Sequence, residues 1–343
     1  MRIAVDVMGA DHGSEVILAG VKLALDAYPH IHELIVVGNE TEIKRGLERI
    51  ALHDSRLRIQ HASEVLTMQD KPLEAIRKKK DSSMLRAIEL VQDGKADAII
   101  STGNTGALVA GSLKLRRLEN VERPVLAARM PSRTGDFVLI DAGANPTCEP
   151  DYLMQFAVMG DIYAREILGK KNPRIGILSN GSEETKGTDL TREAHRLCSQ
   201  LDFNYIGYVE GFDLFDDAVD VVVTDGFTGN IVLKTSEGLG YAMMSLLKSE
   251  LTANPINKMG AFIARGAFRN IKSRLDPEVY GGAILLGLNG NVIKAHGSAR
   301  EKAIMNAIRV AGEAVQHHLN ELIVKEINHA SAKLVPATDL PAK

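Results

Sequence analysis

Five short apolar runs in this chain each give way at once to a loop rich in glycine and small polar residues. Ile3-Ala4-Val5 leads into Asp6-Val7-Met8-Gly9-Ala10-Asp11-His12, and Ala98-Ile99-Ile100 leads into Ser101-Thr102-Gly103-Asn104-Thr105-Gly106. Phe137-Val138-Leu139-Ile140 leads into Asp141-Ala142-Gly143-Ala144-Asn145. Ile175-Gly176-Ile177-Leu178 leads into residues 179–187, which carry Lys186, and residues 219–223 lead into Thr224-Asp225-Gly226-Phe227-Thr228-Gly229-Asn230. A strand buried on both faces reads as a continuous apolar run, and open α/β sheets bind ligands beyond the carboxyl ends of such strands. The pattern predicts an α/β fold with a mainly parallel, doubly wound sheet. It also predicts that the five loops gather on one side of the sheet as a shared site of backbone N–H groups, which suits phosphate.

Between these runs the periodicity turns helical, with apolar positions three and four apart over residues 15–28, 84–92, 107–113, 152–168, 190–201 and 231–247. Residues 40–52 read as a charge-rich helix, residues 33–37, 57–59 and 283–288 as strands, and residues 302–324 as one closing helix. Strand and helix alternate along most of the length, the signature of a layered α/β architecture. The segment 255–277 departs from it. Met259, Ile263, Ala267, Ile271 and Leu275 recur every four residues beside Lys258, Arg265, Arg269, Lys272 and Arg274. That pattern predicts an amphipathic arm, within about 250–280, protruding from one α/β catalytic unit over residues 1–330 that can divide into two closely packed lobes. Residues 331–343 read as a loose tail.

Bulk properties remove several classes of function. A net charge of −3 and the absence of Trp argue against nucleic-acid binding, which favours basic surfaces and stacking aromatics. Two cysteines, Cys148 and Cys198, cannot build a disulfide framework or a four-ligand zinc site, and they fit a reducing cytoplasm. The first residues already read as a strand rather than a secretory signal, and no apolar stretch approaches the roughly 20 residues that span a bilayer.

The candidate site residues come from the loops. Ser101, Gly103, Thr105 and Gly106 can form an anion cradle at a helix start, where glycines let N–H groups approach and the helix dipole favours negative charge. A plain capped turn is the equal alternative. No loop matches Gly-x-x-x-x-Gly-Lys-Ser/Thr or Gly-x-Gly-x-x-Gly, so neither an ATPase loop nor a standard dinucleotide fingerprint is present. Asp6, Gly9 and His12 share the first loop; a helix-capping role there stands beside phosphate contact. Asp141, Gly143 and Asn145 offer a second anion contact, and Gly226 and Gly229 a third. Asp225 and Asn230 suit proton handling and oxyanion donation, against the common alternative of an Asx turn. Lys186 at a strand end suits a phosphate or oxyanion, and His296 and Ser298 open the last helix as a further anion contact or a simple N-cap. Cys148 reads as an inert thiol. No metal or cofactor is expected.

Laid end to end, these loops resemble the bacterial PlsX-type phosphate acyltransferases. The likeness runs over about residues 1–330, through residues 6–12, Arg77-Lys78-Lys79-Lys80-Asp81-Ser82-Ser83-Met84, residues 101–108, 141–145, 183–187 and 224–233, Tyr280-Gly281-Gly282-Ala283 and His296-Gly297-Ser298. Ala10, Gly13-Ser14, Thr147 and Glu149 depart from the family pattern. The resemblance implies that inorganic phosphate attacks a fatty acyl thioester on acyl carrier protein, releasing acyl phosphate and free carrier for phospholipid synthesis. It implies a fold like the isocitrate/isopropylmalate dehydrogenases and phosphotransacetylases. It further implies a cytoplasmic homodimer lying peripherally on the inner face of the cell membrane, where a membrane glycerol-3-phosphate acyltransferase takes up the acyl phosphate. Phosphate is itself the nucleophile, so the site must only bind it, orient it and stabilise an oxyanion. In that scheme Lys186 neutralises charge, Asn104 and Asn230 orient, and Asp225 positions Lys186 or handles a proton. Arg265, Arg269 and Lys272 are candidate contacts for the acidic carrier or the membrane, as are residues 77–80 and Arg116-Arg117. Phe262 and Ile263 are candidates for lipid or dimer contact. A dehydrogenase of related fold would need a metal-binding acidic cluster, and a non-catalytic scaffold would not need five polar loops.

Overall fold

A computed structural model describes residues 1–334. In chain order the elements of the first half are β1 (Arg2–Asp6), α1 (Ser14–Ala27), β2 (Glu33–Gly38), α2 (Glu40–Arg49), β3 (Leu57–His61), α3 (Pro72–Lys78), α4 (Ser83–Gln92), β4 (Ala98–Ser101), α5 (Thr105–Ser112), β5 (Val125–Pro131) and β6 (Asp136–Ile140). The second half holds α6 (Pro150–Glu166), β7 (Ile175–Leu178), α7 (Asp189–Cys198), β8 (Tyr205–Val209), β9 (Val221–Val223), α8 (Gly226–Thr252), α9 (Pro255–Ile263), α10 (Arg265–Leu275), β10 (Ala283–Leu286), β11 (Asn291–Lys294), α11 (Glu301–Gln316) and α12 (Leu319–Leu334).

All eleven strands join one sheet in the order β3-β2-β1-β4-β11-β10-β5-β6-β9-β7-β8. Pairing is mostly parallel, as the apolar runs predict, but β10 is antiparallel to both β11 and β5, and β5 is antiparallel to β6. Those reversals correct one expectation. The β1 and β4 loops leave the sheet in one direction, and the β6, β7 and β9 loops leave in the opposite one. The five loops therefore do not share one side by strand direction, and whatever joins them must come from elsewhere in the fold.

Alternate residues of each strand feed two cores, because successive side chains point to opposite faces. Ile3 and Val5 belong to the core covered by α1, α6 and α11; Ala4, Ile99 and Val292 belong to the one covered by α4 and α5. Ile17, Val21 and Ala24 give α1 its buried stripe, and Gly20 lets α11 approach so closely that a Cβ there would lie 2.5 Å from the Ile304 Cβ.

Several boundaries differ from the sequence reading. Residues 302–324 split into α11 and α12 at His318, whose φ of 51° breaks the helix, and α12 continues to Leu334, so residues 331–334 are helical rather than loose. The remainder of the expected tail, 335–343, lies outside the described residues. α8 begins five residues before the predicted start, at Gly226, because the Asp225 carboxylate accepts the Thr228 N–H at 2.9 Å and caps it. Only Gly226 and Gly229 are buried in the 27 residues of α8, and none is buried in α9 or α10. Leu239, Tyr241, Met243, Leu246, Ile256, Phe262 and Ile263 stand exposed along this arm. So large an exposed apolar stripe marks an interaction surface.

Candidate active site

The ends of β1, β4 and β11 interlock. Ser101 Oγ donates to Asp6 Oδ2 at 2.7 Å, and the Gly103 N–H donates to Ser101 Oγ at 3.1 Å. Gly9 and Gly103 face each other so tightly that a Cβ on Gly9 would lie 2.8 Å from the Gly103 Cα. Burial pushes the Asp6 carboxyl above its ordinary range, against hydrogen bonds from Ser101 and Ser83 that pull it down. The Gly103 N–H, expected at the phosphate, is thus spent within the turn. Asn104 caps α5, its Oδ1 accepting the Ala107 N–H at 3.0 Å, while its Nδ2 donates to the Met68 carbonyl. The Thr105 and Gly106 N–H groups make no hydrogen bond among the described residues, which leaves the α5 N-terminus free for an anion.

Beside this turn stand two lysines that the sequence reading passed over. Lys294, on β11, is only 9% exposed, and its Nζ donates to the Thr102 carbonyl at 3.2 Å and also to the Ala295 carbonyl. Burial pushes its pKa down to about 8, helped by the Lys234 charge and opposed by Asp11, Asp6 and Glu237. Lys234, on α8, pairs with Glu237 at 2.7 Å and meets His296 Nε2 at 3.2 Å. Burial and the same Lys234 charge lower the His296 pKa. Ser298 Oγ sits 2.8 Å from His296 Nδ1 rather than capping α11, whose N-cap is Arg300. Asp11 is tied to the same corner by its N–H on the Gly297 carbonyl, whereas His12 is exposed. The helix beside them, α1, is capped by neither: Gly13 is its N-cap.

Because Lys294 loses protons early in the fold, the unfolded chain holds more protons than the native one between pH 8 and 10.5, so its contribution to stability rises with pH across that window. The melting temperature of the wild type should therefore gain on that of Lys294→Met as pH is raised from 8 to 10.5. A constant difference would show that Lys294 titrates normally.

On the other side, Asp141 organises its own loop. Its carboxylate accepts N–H groups of Leu126, Gly143, Ala144 and Asn145 and the Asn145 Nδ2, at 2.7–3.2 Å. Burial pushes this carboxyl upward while those donors hold it down. The Gly226 N–H donates to the Asn145 carbonyl, and the Gly229 N–H to the Asp225 carbonyl. The backbone donors of Gly143, Asn145, Gly226 and Gly229, expected at the phosphate, are therefore occupied. Both Asp225 oxygens are engaged by Thr228, and Asp225 makes no contact with Lys186. Cys148 is half-buried with its thiol pushed up to about 12, chiefly by burial, which leaves it unreactive.

One helix joins the two halves. Asn230 packs against Gly143, whose added Cβ would lie 3.3 Å from the Asn230 Cβ, and Lys234 reaches His296. The two residues are four apart, on one face of α8 and about 6 Å along its axis. The Asp141 loop and the His296 corner are thus both touched by α8, which links the two halves despite the opposed strand directions. The exposed Asn230 amide makes no hydrogen bond among the described residues. Lys186 is exposed on the loop after β7, with its side chain in no ion pair among the described residues and in no hydrogen bond to Asn104 or Asn230. Arg265, Arg269, Lys272, Phe262 and Ile263 sit on α9 and α10, beyond the far end of α8, with the Arg265 guanidinium 4.8 Å from the Phe262 ring centre.

Known proteins resemble this chain over nearly its whole length. The family described as "Fatty acid synthesis protein" matches residues 1–322. A phosphate acyltransferase of Akkermansia muciniphila is 45% identical over 334 residues, covering 95% of this chain and 96% of the relative. One from Bacillus pumilus is 44% identical over 329 residues, covering 95% and 98%. Among solved structures, a phosphotransacetylase from Streptococcus pyogenes superposes with a TM-score of 0.62 at 20% identity, covering 92% of this chain and 94% of that one. A branched-chain phosphotransacylase from Enterococcus faecalis gives 0.59 at 17%, covering 93% and 100%. These two show a common fold.

Proposed function

The chain belongs to the PlsX-type phosphate acyltransferases, and from that premise we propose that it moves a fatty acyl group from acyl carrier protein to inorganic phosphate. The observation that carries the reading is the α8 bridge, which sets Asn230 against the Asp141 loop and Lys234 against His296 on one helix face, and the reading places the reaction in a cleft beside that bridge. Phosphate binds at the Thr105 and Gly106 N–H groups, with Lys234 and Lys186 supplying positive charge. Asn104 serves by holding that turn, and Asp225 and Asp141 by holding the start of α8. A phosphate oxygen attacks the thioester carbon, a C–O bond forms, and the carbonyl oxygen takes the charge within reach of the Asn230 amide. Collapse breaks the C–S bond. The carrier thiolate leaves and takes up a proton, matching the one that hydrogen phosphate gives up. Palmitoyl-acyl-carrier protein should release free thiol only when phosphate is present, with stoichiometric acyl phosphate seen by phosphorus NMR. Thiol release independent of phosphate would exclude the reading.

The exposed arm supports peripheral binding to the cytoplasmic face of the membrane, with the product passed to a membrane glycerol-3-phosphate acyltransferase, and the apolar face of α8 supports a homodimer. No helix among the described residues is long and apolar enough to cross a membrane. Arg265, Arg269 and Lys272 beside Phe262 and Ile263 give the arm the basic and apolar character of an interfacial helix pair. The wild type should float with anionic liposomes, and Phe262→Asp, which places a charge at a residue 66% exposed, should stay at the bottom of the gradient with activity on soluble substrate retained. Equal flotation of both proteins would remove the arm from membrane contact.

A further inference from the structure

We infer that Lys294 is a positioning residue for the phosphate subsite, holding the Thr102 carbonyl inward so that the turn into α5 presents N–H groups and no carbonyl to the incoming anion. The inference rests on the phosphate reading above. Its geometry is specific. The Thr102 carbonyl and the Gly103 N–H are two ends of one peptide unit. Lys294 Nζ holds the first at 3.2 Å, and Ser101 Oγ holds the second at 3.1 Å. Ser101 is fixed in turn by the buried Asp6, so the unit is clamped from both sides. Gly103 is also packed against the Gly9 backbone, since a Cβ on Gly9 would lie 2.8 Å from the Gly103 Cα and 2.9 Å from its N.

A lysine is an expensive way to fill that position if packing is the only need. Its strand neighbours Val292 and Ile293 are fully buried, and replacing buried ionic groups with apolar ones is often neutral or stabilising. The charges facing it come from several elements: Asp6 on β1, Asp11 after it, Lys234 and Glu237 on α8, and His296 beyond β11. Asp6 and Lys294 together compensate each other's burial while gripping opposite ends of the same peptide. Without the ammonium, the Thr102 carbonyl is free to rotate toward the α5 N-terminus and set partial negative charge against the phosphate.

Lys294→Met keeps the length and removes the donors. Steady-state kinetics on it should show the KM for phosphate raised roughly 10- to 100-fold, the loss expected of a charge-assisted hydrogen bond, with the KM for the acyl thioester unchanged. Ser101→Ala loosens the same peptide from its other end and should raise the phosphate KM selectively as well, and it carries the test if Lys294→Met does not fold. The double variant should lose less than the sum of the two, since both act on one unit. An unchanged phosphate KM in a folded variant, or equal changes for both substrates, would overturn the inference while leaving the wild-type reaction standing. Absence of phosphate-dependent turnover in the wild type would instead overturn the functional reading, and this inference with it.

Discussion

Lys186→Ala is expected to lose roughly 100-fold or more in phosphate-dependent thiol release while melting at the same temperature as the wild type. The magnitude is that of removing one preformed donor from a developing oxyanion. The unchanged stability follows from the structure: the Lys186 side chain is exposed and makes no ion pair among the described residues, and only its aliphatic stem lies against Gly181. Its loop is shaped independently, by the Asn180 side chain accepting the Gly187 N–H at 2.9 Å and by the Lys186 N–H on the Glu183 carbonyl. A lysine kept at a strand end without a structural partner is available for a ligand. Kinetics should show the fall in kcat as well as in kcat/KM, since the interaction strengthens as charge moves onto the oxyanion. Near-normal turnover would take Lys186 out of the mechanism and leave the charge at the cleft to Lys234.

Much of this architecture is written locally. Continuous runs such as Ile3-Ala4-Val5 and Phe137 to Ile140 announce buried strands, and the polar loops after them announce ligand-side turns, because both signals depend on neighbours in sequence. β5 and β8 were not visible. β5 carries Arg129, paired with Asp136, inside an otherwise apolar stretch, and β8 interrupts its tyrosines with Gly207. Nothing local distinguishes a strand that will run antiparallel, so the reversal through β10 and β5, and with it the true relation of the loops, could not be read. The same limit explains the site. Asp141, Asp225 and Ser101 look alike as loop polar residues whether they meet substrate or fasten a turn; only long-range contacts show that their groups are already bonded. Lys294 was hidden at the end of β11, although a lysine closing an apolar run is itself a signal of a buried charge with partners. Lys234 looked like any surface lysine until α8 was seen to carry it to His296.

The start of α8 gives the second large effect. Gly229 rests on the Asp141 loop so closely that a Cβ would lie 1.9 Å from the Asp141 carbonyl oxygen and 3.0 Å from its carbonyl carbon and from the Thr224 Cγ2. The obstructing atoms are mainly backbone, which no rotamer change can move aside. Gly229→Ala should therefore push the first turn of α8 off the loop at a cost of about 3 kcal/mol, the upper part of the usual overpacking range. Asn230 is the next residue, so turnover should fall with stability. Gly238, farther along the same helix, has open space where its Cβ would stand, and Gly238→Ala should instead stabilise by roughly 0.5–1 kcal/mol because alanine is the better helix former. Thermal melts of the two variants should therefore move in opposite directions from the wild type. If Gly229→Ala melts as high as Gly238→Ala, then α8 does not seat on the Asp141 loop, and Asn230 and Lys234 lose the geometry that places them across one cleft.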